Sequence, residues 1–231
     1  MGTITSIAGG MEILDNAKQW VSSFVNMYAD MKEHMSGVSK YTGLAAEEVD
    51  ELNEAFKKID TRTPREKLND LAADAGRLDI TGKQDILDFV DAANQINLAL
   101  GEDLGEDGVK NIGKLTQLFS EGRALGLKNG MLATASVINE LAQSSSASEP
   151  YLLEFTARLA SIGSTAKIAQ SDLTSIAAVL DQGMVGVEKG ATAMQNVLTA
   201  IYRRPAKMAK AAGLDVKKFT ELVKTDANAA L

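Results

Sequence analysis

One short phrase recurs six times along this chain and decides what the chain can fold into. Four copies begin with Gly, one with Asp79 and one with Lys167; an aliphatic residue follows, then a few mostly polar or small residues and a second aliphatic residue. A small residue ends a helix, the first aliphatic residue anchors the turn in the core, and a polar residue caps the next helix. The phrase therefore predicts a string of helices folded back on one another. The copies lie at residues 43–49, 79–86, 126–132, 167–173, 183–187 and 213–219.

The rest of the sequence also favours helices. Aromatic residues make up 5% of the chain and Pro occurs three times, whereas Ala, Leu and Ile are frequent. No stretch alternates like a β-strand. The sequence predicts an all-α fold, a compact array of about ten short-to-medium helices with a long N-terminal helix over residues 10–35. The apolar stripe of that helix recurs at spacings of three and four: Ile13, Ala17, Trp20, Val21, Phe24, Tyr28, Met31 and Met35.

Further helices are predicted at residues 46–59, 83–100 and 128–142. Another helix begins with Thr63 as its cap and Pro64 at the first helical position, and one more begins near Pro150. The Ser-rich segment 143–149 is the best candidate for a linker. The predicted parts are therefore a long helix and helical hairpin over 1–60, a first helical part over 61–142 and a second over 150–231.

The composition excludes several kinds of chemical site and several classes of protein. The 231 residues include no Cys and one His, His34, so thiolate and multi-histidine metal sites are excluded and no cofactor is expected. The net charge is −7, which argues against a chain that coats nucleic acid. No run of 18 apolar residues spans a bilayer, and the N-terminus lacks a signal peptide, which predicts a protein that is not secreted.

Three motifs resemble chemical sites, and each has a simpler interpretation. The Gly-rich segment 108–115 lacks both the hydroxyl residue and the preceding strand of a phosphate loop, and its apolar residues fit a helix face. Ser164 and Lys167 have Ser-x-x-Lys spacing, which is common by chance. The acidic turn 102–107 does not match an EF-hand register. No catalytic residue is predicted, although a hydrolase built on Ser164 and Lys167, or on His34, is the enzymatic alternative.

The basic group near the C-terminus is the one candidate binding patch. Residues 201–231 carry a local charge of +4, so residues 1–200 carry −11. On a helix that starts at Pro205, two of the four cations are three residues apart and share a face. One interpretation is a docking patch that binds an acidic partner or a phosphate group. The other is that they are the solvated charges of a helix end. The four residues are Arg203, Arg204, Lys207 and Lys210.

From about Arg77 to Leu231 the chain resembles the core region of phage tail tape measure proteins. The resemblance lies in the order of its pieces: residues 135–142, then 173–184, 188–194 and 209–214. Residues 190–193 read Gly-Ala-Thr-Ala, one residue longer than the Gly-Thr-Ala usual in that family.

The resemblance implies a structural role without catalysis. The protein would help to set tail length and scaffold the tail tube, binding tail assembly chaperones, tube proteins and baseplate proteins, with no specific nucleic acid. It would act in the host cytoplasm during assembly and then in the virion tail, and its family size implies a fragment of a longer parent. An oligomer is compatible with this role. The repeated turns indicate a folded module rather than the extended ruler. The alternative is a helical adaptor or repeat scaffold in a bacterial cell.

Overall fold

The structure is a computed structural model, and it describes residues 4–105 and 107–225. These residues form twelve helices and no strand, so the protein is all-α and begins with a long helix, as predicted. The side chains of residues 4–18, 20, 21, 24 and 102, which include much of the predicted apolar stripe of the first helix, lie outside the description. The helices are α1 Ile4–Thr42, α2 Ala46–Phe56, α3 Arg65–Arg77, α4 Lys83–Leu104, α5 Gly108–Leu118, α6 Ser120–Leu125, α7 Leu127–Ser144, α8 Glu149–Ala166, α9 Gln170–Gln182, α10 Val187–Arg203, α11 Pro205–Ala211 and α12 Val216–Thr225.

The chain divides into two compact units, Met1–Leu87 (unit 1) and Asp88–Leu231 (unit 2), and the division falls inside α4. The domain boundaries expected at residue 60 and at residues 143–149 stay predictions. The loop within the Ser-rich segment is shorter than the predicted linker. Helix α7 continues through Ser144 and α8 already begins at Glu149, so only residues 145–148 lie between the helices. None of the helices in the described ranges is long and apolar enough to cross a membrane.

Unit 1 is built around the contact between α1 and α3, with α2 packed against both. Its core includes Val38 of α1 and Leu68 of α3, both fully or almost fully buried, with Phe56 of α2 at 2% exposure. At the centre lies a pair of buried amides. Asn53 Nδ2 donates to Asn69 Oδ1 at 3.0 Å, and Asn69 Nδ2 donates back to Asn53 Oδ1 at 2.8 Å. This reciprocal bond fixes the register of α2 against α3.

Unit 2 centres on α5, α7, α8 and α9, with α6 against α5 and α7. Its core holds large apolar side chains that are almost fully buried, and two polar pairs join neighbouring helices within it. Thr156 and Thr174 hydroxyls lie 3.1 Å apart, and Thr134 donates to Gln170 at 3.2 Å. Large buried side chains of these helices and of Phe119 between α5 and α6 include Ile112, Leu115, Phe119, Met131, Ile138, Leu152, Phe155 and Leu159.

Four of the recurring turns share one hydrogen-bond pattern. In the turn after α8, Lys167 adopts a left-handed φ of 57°, its N–H bonds to the Ser164 carbonyl, and the N–H of Ile168 bonds back to Gly163. This Schellman arrangement satisfies carbonyls that the end of a helix leaves free, and it turns the following aliphatic side chain inward. Ile168 is 1% exposed as a result. The left-handed residues of the other three turns are Asp79, Met184 and Gly213.

The turn after α9 corrects the predicted assignment. Gly183 has an ordinary φ of −77°, and Met184, predicted as the inward aliphatic residue, is the left-handed residue and is 93% exposed. Val185 takes the anchoring place, and Tyr151 Oη donates to its carbonyl at 2.7 Å. The turn after α11 also departs from prediction, because its first aliphatic residue, Leu214, is 51% exposed. The spacing alone does not show which of two neighbouring residues is left-handed.

The caps of four helices also differ from the prediction, because no polar residue sits at the start of α2, α7, α9 or α10. Ala45, Gly126, Ala169 and Gly186 occupy those positions. At α2 the Glu48 carboxylate, three residues on, accepts from the Ala45 N–H at 2.9 Å. At α9 Glu121, distant in sequence, accepts from the Gln170 N–H at 2.6 Å, so a tertiary contact replaces local capping there.

Two predicted helix starts are also wrong. Helix α1 begins at Ile4 in the described residues rather than at Gly10, so it runs through both Gly9 and Gly10. Helix α3 begins at Arg65, and Pro64 rather than Thr63 is its cap, because the Pro64 carbonyl accepts from the N–H groups of Lys67 and Leu68.

Met184→Gly should stabilise unit 2. A left-handed conformation costs an L-residue about 1–2 kcal/mol, which Gly avoids. Gly is also more flexible in the unfolded chain, and this offsets about 0.5–1 kcal/mol of the stabilisation. Because the Met184 side chain is almost fully exposed, few contacts are lost. We expect a gain of about 0.5–1 kcal/mol in the free energy of unfolding, measured by urea denaturation. Met184→Ala keeps the Cβ atom and should give no gain; an equal gain in both variants would contradict this account.

Candidate functional site

The four predicted basic residues lie together at the junction of α10 and α11, and we call them the basic surface. Arg203 ends α10, Arg204 links the two helices, and Lys207 and Lys210 lie on α11, which begins at Pro205 as predicted. All four side chains are exposed. No carboxylate of the described residues pairs with any of them. Their use as a docking patch stays a prediction.

The local sequence explains the bend that presents these charges. A residue before proline is driven out of the helical region, and Arg204 has φ −140° and ψ 50°. Its carbonyl then accepts from the N–H groups of Lys207 and Met208, which starts α11. The chain therefore turns at Arg204 without leaving the first polar groups of α11 unpaired.

A small buried apolar cluster anchors the helices that carry the basic surface. Ala209 is fully buried, and Ile201, Phe219 and Val223 are at most 7% exposed. The partly buried side chains of Met208 and Val216 pack against this cluster. Because Ala209 lies between Lys207 and Lys210, the contact that anchors α11 also holds both ammonium groups outward.

Two clefts flank Tyr202 beside the basic surface. The larger, of about 300 Å³, lies between the end of α8 and α12 and is lined by Lys167 and Lys224 among others. The smaller, of about 260 Å³, includes Arg203. Tyr202 Oη donates to the Ala166 carbonyl at 2.7 Å, and burial raises the pKa of its hydroxyl. Tyr202 therefore stays neutral and ties α10 to the end of α8.

Unit 1 contains a groove of opposite charge, which the sequence analysis missed. It lies between α1 and α3, has a volume of about 860 Å³, and is called here the acidic groove. Its one arginine, Arg77, bonds to Asp74 and lies 4.1 Å from the ring centre of Tyr41. The hydrogen bond with Arg77, aided by the charge of Lys40, lowers the pKa of Tyr41. The five carboxylates that line the groove are Asp30, Glu33, Glu66, Asp70 and Asp74.

His34 lies in this groove and is not simply a solvated helix-end residue. Its Nδ1 lies 2.6 Å from Asp70 Oδ1, so the two side chains join α1 to α3. Within residues 4–105 and 107–225, no cluster of three His, Asp or Glu side chains is arranged to hold a metal ion. The pair acts as a link between helices.

The motifs given simpler interpretations are found within helices or helix ends. Segment 108–115 lies in α5, with Val109, Ile112 and Leu115 buried as predicted for a helix face. Ser164 Oγ donates to the Leu118 carbonyl at 2.8 Å, so its hydroxyl proton is directed to the backbone. In the acidic turn, Asp107 pairs with Lys110 at 2.5 Å; the side chain of Glu102 and all of Glu106 lie outside the described residues.

Comparison with known proteins identifies no relative. No family model matches the chain, and neither a curated protein nor a solved structure is significantly similar to it.

Proposed function

We propose that this chain is a non-catalytic assembly module of a phage or prophage tail tape measure protein. In this role it helps to set tail length and scaffolds the tail tube, in contact with assembly chaperones, tube proteins and baseplate proteins. It works in the host cytoplasm and then in the virion tail. The order of sequence pieces from Arg77 to Leu231 supports the proposal, and α7 to α12 contain those pieces as successive helices and turns.

The basic surface is the observation that best supports a role in binding a partner protein. Cations that pair with no described carboxylate and stand on a buried apolar cluster are suited to binding a partner, because no ion pair with a described residue has to break and little main-chain freedom is lost on binding. The flanking clefts add apolar and hydrogen-bonding surface beside the charges.

The decisive experiment removes the gene from its phage or prophage. We expect particles without tails, or with tails of abnormal length, by electron microscopy, and restoration by the gene supplied in trans. Mass spectrometry of purified wild-type tails should detect peptides of this chain. Two results together would overturn the proposal: tails of normal length after deletion of the gene, and no peptides of this chain in purified wild-type tails.

The second candidate is a helical adaptor or scaffold in a bacterial cell. The same exposed basic surface favours it, since such a surface would serve any acidic protein partner. In that case the chain would be found with a host protein in cells that produce no particles.

A further inference from the structure

Helix α1 is three times as long as α3, the helix that contacts it most. It has 39 residues and α3 has 13, which at 1.5 Å per residue corresponds to about 58 Å against about 20 Å. Near the middle of α1, Val25, Met27 and Tyr28 are 61%, 54% and 67% exposed. Val25 and Tyr28 are three residues apart and share one face of α1, where they form a small apolar patch. Met27 lies on another face of the helix and lines the acidic groove, so it adds an exposed apolar side chain to the groove.

The carboxylates of the groove are only partly neutralised. Asp74 pairs with Arg77, and Asp70 with His34 and Lys67. Asp30, Glu33 and Glu66 have no ionic partner among the described residues. Five carboxylates against Arg77 and Lys67 leave the groove with an excess of three negative charges, before His34 is counted.

The basic surface of unit 2 has the complementary composition. It carries four positive charges, opposite in sign to the excess charge of the groove. Apolar side chains accompany these charges too: Tyr202 is 38% exposed beside Arg203, and Leu214 is 51% exposed directly after α11.

We propose that the acidic groove of one copy receives the basic surface of a second copy. Opposite charge aligns the two surfaces, and the apolar groups beside the charges lose contact with water when they meet. The two surfaces are different, so the contact is head to tail, and each bound copy leaves one surface free for the next. Copies then add in series or close into a ring. This inference goes beyond the proposed function and does not depend on it.

The first test is the mass of the full chain in solution at increasing concentration. We expect association at low ionic strength that weakens with salt, because the screening length falls from about 30 Å at 0.01 M to about 8 Å at 0.15 M. Sedimentation velocity or light scattering measures this. A monomer at every concentration and salt would overturn the proposal.

The second test reverses charge on each surface separately. Asp30→Lys with Glu33→Lys alters the groove, and Lys207→Glu with Lys210→Glu alters the basic surface. None of these side chains makes an ion pair with another residue in the described part of the chain, so circular dichroism should show an unchanged fold. Each variant alone should associate at least tenfold more weakly than the wild-type chain, and mixing the two variants should restore association, because each surface then finds a complementary one.

Charge reversal elsewhere provides the matched control. Glu140 and Lys189 are exposed, lie outside both surfaces and have no ionic partner among the described residues. Glu140→Lys and Lys189→Glu should leave association unchanged. Equal weakening by these controls, or failure of the mixed variants to associate, would show that the copies meet by other surfaces.

Discussion

Gly76→Ala should destabilise unit 1 by about 3 kcal/mol or more. A Cβ atom at this position would lie 2.5 Å from the Tyr41 carbonyl carbon, 2.6 Å from its oxygen and 2.7 Å from the Thr42 nitrogen. These atoms belong to the backbone of α1, so no side chain can rotate away and the two helices must separate. Overpacking costs about 1–3 kcal/mol where side chains can adjust, and more where they cannot.

Gly37→Ala is the matched control. Gly37 lies inside α1 as Gly76 lies inside α3, but a Cβ atom added at Gly37 would have no atom within 4 Å apart from the nearby backbone of its own helix. Ala is a better helix former than Gly by about 1 kcal/mol, so this variant should be more stable than the wild-type chain. Hydrogen exchange of peptides from α1 and α3 reports unit 1 directly. Faster exchange for Gly76→Ala and slower exchange for Gly37→Ala is expected; similar rates in the two variants would refute the close crossing.

The second large effect concerns the buried amide pair. Asn69→Leu removes both bonds to Asn53 and leaves a buried amide without its partner, which costs about 1–3 kcal/mol for each unsatisfied group. We expect a loss of about 3 kcal/mol in the free energy of unfolding of unit 1. The measurement is urea denaturation, supported by hydrogen exchange of α2 and α3.

The double variant Asn53→Leu with Asn69→Leu is the control. It replaces both amides by apolar groups of similar shape, so it should recover most of the loss. Simple addition of the two single effects would contradict the reciprocal bond. Recovery would show that the pair sets the register of two helices more than it adds stability.

The helices were predictable because their signals are local. Apolar spacing placed α2 and α4 within a few residues of their observed ends, and the left-handed Gly43 and Gly213 follow directly from the permissiveness of glycine. The sequence did not show the break between α5 and α6 at Phe119, whose extended backbone interrupts a continuous apolar stripe. Phe119 is 1% exposed, so tertiary packing decides that break.

The two surfaces differ in how far sequence could reveal them. The basic surface is contiguous in the chain, so the residues from Arg203 to Lys210 were visible as a cluster. The acidic groove combines residues of α1 and α3 that lie more than thirty positions apart. A signal was present in Glu66, Asp70 and Asp74, which are four residues apart and share one helix face. Periodicity cannot show that this face lies against α1.

The order of the helices also affects how the protein emerges during synthesis. Helix α1 is synthesised before α3, the helix that contacts it most, which is complete only at Arg77. At about 5–20 residues per second, the residues from Gly43 to Arg77 take about 2–7 s to make. Throughout that interval a long helix with an apolar stripe lacks its main contact, α3. The nascent protein therefore exposes a binding face before its fold is complete, at the stage when a chaperone or a neighbouring nascent copy could reach it.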